Sequence, residues 1–120
     1  MLPEKRILFI DDDKAQLQAF LRMLRATHYR CEVSNDPFTA LQHPDLAEFD
    51  VILVDNRMPS MSGVVVLNAL RARFPDKKLI LVSGNLNQTP QPSPRLALTS
   101  LLDKPFSKVQ LLQMLDALWL

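Results

Sequence analysis

"RILFIDDDK", residues 6–14, decides the fold. Ile7 to Ile10 form a continuous apolar run, the pattern of a strand covered on both faces rather than on one. The run ends abruptly in Asp11, Asp12 and Asp13. Two unit charges ~4 Å apart repel by ~4 kcal/mol at the effective dielectric near a protein surface. Three carboxylates at one strand end therefore need separate tasks or a cation. Asp13 directly precedes a helical stripe and reads as its N-cap. Asp11 and Asp12 remain as a pair of hard oxygen donors.

Outward from that stretch, strand-like and helix-like patterns alternate. Leu17, Phe20, Leu21 and Leu24 have i, i+3, i+4, i+7 spacing and predict a helix over 13–27. A short strand follows at 31–33. Asp36-Pro37 places an N-cap before proline at the first helical position, opening a short helix through Leu41 that His43-Pro44 ends. "VILV" (51–54) and "LILV" (79–82) repeat the buried-strand pattern, and "SLLD" (100–103) is a weaker copy. Helices are predicted over 64–73, with Val66, Leu67 and Leu70 inward, and over 107–118, with Val109, Leu112 and Leu115 inward. Strands separated by helices imply right-handed crossovers and a parallel sheet. The expected fold is α/β, a doubly wound three-layer sandwich in one domain spanning 1–120.

Composition excludes several classes. The 120 residues carry a net charge of +1, and Lys and Arg are scattered, so no nucleic-acid footprint is expected in this chain. Apolar runs fall far short of a membrane span. With one cysteine, Cys31, no internal disulfide can form, which suits a cytoplasmic location. Cys31 reads as a small buried side chain. His28 and His43 read as surface or capping residues, and Trp119 as a packing residue of the last helix.

In doubly wound folds the ligand crevice lies beyond the carboxyl ends of the strands. There the sequence places Asp11 and Asp12, Asp55, Ser83 with Gly84, and Lys104 with Pro105. Three acids, one hydroxyl and one ammonium would converge on one edge. Oxygen donors of this kind favour Mg²⁺ over zinc. Pro105 restricts Lys104, and an X-Pro bond can be cis in a turn, which would aim the amine into the crevice.

The acidic pair, "DNRMPSMSG" (55–63), Ser83-Gly84 and "KPF" (104–106) stand in order along the whole chain. With them the sequence resembles a response-regulator receiver domain of two-component signalling, chemotaxis-receiver-like. The resemblance implies a flavodoxin-like five-stranded parallel sheet of order 2-1-3-4-5. It implies that Asp55 takes a phosphoryl group from a phosphohistidine on a sensor histidine kinase or histidine phosphotransfer protein. Mg²⁺ would be held by Asp12 and Asp55, by Asp11 through water, and by the backbone carbonyl of Arg57. Lys104 and Ser83 would contact phosphoryl oxygens, and Gly84 would let its backbone N–H approach. The output would be a switched interaction with an output domain or partner protein, not turnover of a substrate.

Two features depart from the family pattern. Pro90, Pro92 and Pro94 crowd "GNLNQTPQPSPRLALTS" (84–100), where a receiver has its fourth helix. Each proline inside a helix costs ~3 kcal/mol, so a loop is expected there, with a stub of helix capped by Ser93 and running to Thr99. Leu101 stands where the family usually carries an aromatic ring that swings inward on phosphorylation. Phosphorylation is then expected to act through Ser83 and an ordering of 85–94. Arg57 is expected at the mouth of the site. The alternative is a phosphorylation-silent pseudo-receiver serving as a protein-interaction module. A flavodoxin-like nucleotide binder is disfavoured because "DDDK" would repel phosphate without a metal. A haloacid-dehalogenase-type phosphatase is disfavoured because the D-x-D-x-T pattern is missing.

Overall fold

A computed structural model of the chain describes residues 3–84 and 97–120. Five strands form one parallel sheet of order β2-β1-β3-β4-β5. They are β1 (Lys5–Ile10), β2 (Tyr29–Ser34), β3 (Val51–Asp55), β4 (Lys78–Ser83) and β5 (Ser100–Asp103). The helices among the described residues are α1 (Lys14–Leu24), α2 (Pro37–Leu41), α3 (Gly63–Arg73) and α4 (Lys108–Ala117), with a short 3-10 turn at Leu46–Glu48. The proline-rich loop, the helix stub capped by Ser93 and the ordering of 85–94 fall on 85–96, outside the described residues. Ala97, Leu98 and Thr99 carry no helix.

Alternate residues of each central strand feed two separate cores, as a period of two demands. Leu8, Ile10, Ile52, Val54, Leu79 and Leu81 face α2 and α3, meeting Ala40, Val66, Leu67 and Leu70. Ile7, Phe9, Val51, Leu53, Ile80 and Val82 face α1 and α4, meeting Leu17, Phe20, Leu24, Leu111 and Leu115. Every residue of β3 is buried. This two-sided burial, worth roughly 1.5–3 kcal/mol for each large apolar side chain, makes the central strands the rigid part of the molecule.

Local signals explain the helix starts. Asp13 caps α1, accepting from the N–H groups of Ala15 and Gln16. Asp36 caps α2 with Pro37 in the first turn. Ser62 caps α3, and Ser107 closes a capping box with Gln110 on α4. Two boundaries and one inner face differ from the sequence-based expectation. α1 stops at Leu24, because Arg25 turns extended and Ala26 takes φ 60. β2 begins at Tyr29, because β1 offers it a six-residue ladder. On α4 the inward residues are Leu111 and Leu115, with Leu112 half-buried, while Val109 is 63 % exposed.

The remaining side-chain expectations resolve simply. His43 accepts from Asp45 N–H on Nδ1 and lies 3.1 Å from Glu32 through Nε2. His28 stacks on Tyr29 and lies 3.7 Å from Asp116. Cys31 is half-buried, and burial, helped by the Glu32 charge, pushes its thiol up to about 12. Trp119 packs beneath the ammonium groups of Lys5 and Lys78.

Candidate functional site

The carboxyl ends of β1, β3, β4 and β5 meet at one edge of the sheet. Asp11 follows β1 and Asp55 ends β3, and both are buried, at 1 % and 6 % exposure. Asp12 is exposed beside them. One carboxylate oxygen from each of the three lies within 4.8 Å of the others. Lys104 reaches back from beyond β5, its Nζ 2.6 Å from Asp55 Oδ1 and 3.2 Å from Asp11 Oδ2. The Lys104-Pro105 bond is cis. Ser83, buried at the end of β4, accepts the Lys104 N–H on its carbonyl, which ties the lysine backbone to the same edge. Sequence reasoning thus named residues that the fold brings together.

Backbone amides hold the two buried acids in place. Asp13 N–H donates to Asp11 Oδ1 at 3.1 Å, so Asp13 joins the acidic edge through its main chain while its side chain caps α1. Arg57 N–H donates to Asp55 Oδ2 at 3.2 Å. With Lys104 on Oδ1, both Asp55 oxygens have a donor. The Arg57 side chain is exposed and lies with Asp12, Asn56, Met58, Pro59, Ser62 and Val64 around an open groove of about 750 Å³. That is the mouth expected for it.

The electrostatics record too much negative charge for one cation. Burial, reinforced by the Asp55 charge, raises the Asp11 carboxyl above its usual range, against the Asp13 amide and Lys104. Burial works against the Lys104 ammonium, but its hydrogen bond to Asp55 and the charges of Asp55 and Asp11 outweigh it and raise its pKa. Three carboxylates against one ammonium leave a formal charge of about −2 at this edge. A divalent hard cation would balance it, and the donor set is all oxygen.

Two glycines border the site in different ways. Among the described residues, a Cβ on Gly84 would meet only Lys104 Cβ at 3.8 Å, an ordinary contact. A Cβ on Gly63 would overlap the Asp55 carbonyl oxygen and lie 2.9 Å from Asn56 Cα. Gly63 N–H instead bonds Asn56 O at 3.0 Å, folding the 56–62 loop back under the start of α3. Gly63 was legible as the last residue of "DNRMPSMSG", but its closeness to the Asp55 backbone was not.

Comparison with known proteins agrees with this geometry. The family model for the response regulator receiver domain matches residues 7–116. The transcription factor prr1 of Schizosaccharomyces pombe is 26% identical over 113 residues, covering 93% of this chain and 21% of that protein. The response regulator MprA of Mycobacterium leprae is 29% identical over 114 residues, covering 94% of this chain and 50% of that protein. This chain thus spans between about a fifth and a half of these relatives. Among solved structures, the chemotaxis protein CheY4 of Vibrio cholerae superposes with a TM-score of 0.81 at 26% identity, covering 95% of this chain and 98% of that one. A CheY-like receiver domain protein of Methanospirillum hungatei JF-1 gives 0.83 at 25% identity, covering 95% and 92%.

Proposed function

This chain belongs to the response-regulator receiver domain family, and on that premise we propose that it is a phosphoacceptor signalling domain with Asp55 as the accepting residue. One observation carries the reading. The Lys104 ammonium, from an edge strand, stands 2.6 Å from a buried Asp55 that two other acids surround. A structural lysine would more often be solvated.

In this reading an Asp55 carboxylate oxygen attacks the phosphorus of a phosphohistidine on a kinase or phosphotransfer partner. The P–O bond forms as the P–N bond breaks. The imidazole nitrogen leaves with that electron pair and takes up a proton from solvent. Positioning and charge neutralisation supply most of the catalysis in such transfers. The Arg57 amide holds one Asp55 oxygen in place and leaves the other, now on Lys104, to attack. Lys104 then moves its hydrogen bond to a phosphoryl oxygen, the Ser83 hydroxyl donates to a second, and the Gly84 N–H approaches from the open side. Asp11, Asp12, Asp55 and the Arg57 carbonyl are the oxygens that would hold Mg²⁺. That ion would supply positive charge to the phosphoryl oxygens and to the crowded acids.

The phosphorylated state would alter contact with an output domain or partner protein. No helix among the described residues is long and apolar enough to cross a membrane, and a cytoplasmic setting fits the histidine-kinase chemistry. Leu101, 44 % exposed on β5, has no ring to swing inward, so the signal passes by another route. Intact mass after incubation with phosphoramidate tests the reading. A base-labile phosphoryl adduct that needs Mg²⁺ and is missing in Asp55→Asn is the expected result. A chain that takes no adduct under any condition would be a pseudo-receiver acting through binding alone.

A further inference from the structure

Among the described residues, β5 has the fewest local supports of any strand. It has four residues, lies at a sheet edge and fully buries only Leu102. Yet its far end delivers Lys104 to the acidic crevice. A one-residue slip reverses the faces of a strand and would turn the ammonium away from Asp55. Contacts other than apolar burial must hold the register.

Besides the ladder to β4 and the Lys104 N–H on Ser83 O, such contacts lie at the start of β5, at the opposite end of the strands from the acids. Thr99 donates its N–H to Leu79 O at 2.9 Å and accepts the Leu79 N–H on Oγ1 at 3.1 Å. Two residues earlier, Ala97 O accepts from Arg71 Nη2 at 2.9 Å. The guanidinium is itself fixed. Its Nη1 lies at 3.1 Å from Phe74 O, 2.8 Å from Pro75 O and 2.7 Å from Lys77 O, all in the turn between α3 and β4. A planar guanidinium presents its donors in a rigid fork that serves both directions, where an ammonium on a flexible stem is held less firmly. Ala97 has φ 50, a left-handed conformation unfavourable for a residue with a Cβ. Such conformations persist where the surroundings over-determine them.

We propose that Arg71 is a positioning residue for Lys104. It fixes the start of β5 on the α3–β4 turn, and so sets the register that carries the ammonium to Asp55. The Arg71 bonds named above go to the α3–β4 turn and to Ala97, at the opposite end of the strands from Asp55. Its chemical consequence rests on the phosphoacceptor reading, and its structural consequence does not.

The test uses the full chain with Arg71→Ala, Arg71→Lys, Lys104→Ala and the Arg71→Ala/Lys104→Ala double variant. Acyl-phosphate formation from phosphoramidate is timed, and the Lys104 side-chain ammonium resonance is followed by NMR without any phosphodonor. Arg71→Ala is expected to slow phosphorylation about tenfold, the scale of a small misplacement of a reacting group, and to shift the Lys104 resonance. Arg71→Lys recovers part of the rate. The double variant is no slower than Lys104→Ala, because Arg71 acts only through that lysine. Wild-type rate and an unmoved resonance in Arg71→Ala would overturn the proposal, as would losses that multiply in the double variant. If the wild type takes no phosphoryl group, the phosphoacceptor reading fails, and the resonance alone decides the positioning role. If Arg71→Ala does not fold, Arg71→Lys carries the same two comparisons.

Discussion

β3 and β5 supply the two groups that face each other across the site, and they are built by opposite means. β3 sits at the centre of the sheet, paired on both sides, with all five residues buried. β5 sits at an edge, with Leu101 exposed and Leu102 its buried anchor. The strand that carries the acid is thus held by packing, and the strand that leads to the ammonium by hydrogen bonds. Packing is not released by small events, whereas a few hydrogen bonds can be exchanged. On the phosphoacceptor reading, the division puts the proposed nucleophile on the rigid part and the cation that would respond to it on the part that can move.

The largest expected effect tests the packing side. Ile52→Ala on β3 should destabilise the fold by about 2–5 kcal/mol, while Leu101→Ala on β5 stays within about 0.5 kcal/mol. Urea unfolding of both variants measures the contrast, and equal losses would erase it. Gly63→Ala comes next. Its new methyl must displace the Asp55 or Asn56 backbone, so a cost of about 1–3 kcal/mol should accompany slower phosphorylation. Wild-type stability and rate in this variant would show that the loop yields freely.

Hydrogen exchange sharpens the comparison without mutation. Amides of Leu53 and Val54 should exchange only through global opening, whereas those of Leu102 and Asp103 should exchange through a cheaper local one. Indistinguishable protection would make the sheet one unit. The smallest effect concerns β2, the other edge. Burial raises the Cys31 thiol to about 12 from an ordinary 9.0. A raised folded-state value means that thiol ionisation weakens the fold only as pH climbs above 9.0. Below that, alkylation by iodoacetamide should be slow in the native protein and fast in urea. Equal rates in both would mean that the thiol is open to solvent.

The same contrast explains what the sequence shows and hides. Ile7–Ile10, Val51–Val54 and Leu79–Val82 read directly, because a strand buried on both faces leaves a run that few other structures need. Asp13 and Asp36-Pro37 read directly because capping is local. α4 does not, since Val109, Leu111, Leu112, Met114, Leu115 and Leu118 offer several possible inner faces. Only the packing against Phe9 and its neighbours selects Leu111 and Leu115 over Val109. At the site, Asp11, Asp12, Asp55, Ser83 and Lys104 were each visible as residues following strands. Hidden were the parts that depend on the folded path of the chain: the Gly63 backbone under Asp55, and the Arg71 and Thr99 bonds at the start of β5.

The phosphoacceptor reading turns on which aspartate takes the phosphoryl group. Borohydride reduction of the phosphorylated chain, followed by peptide mass mapping, answers that directly, because an aspartyl phosphate is reduced to homoserine at the residue that carried it. The predicted result is homoserine at position 55 and an unmodified Asp11 and Asp12. Reduction at either of those acids, or at no aspartate in a chain that carries the adduct, would contradict the account.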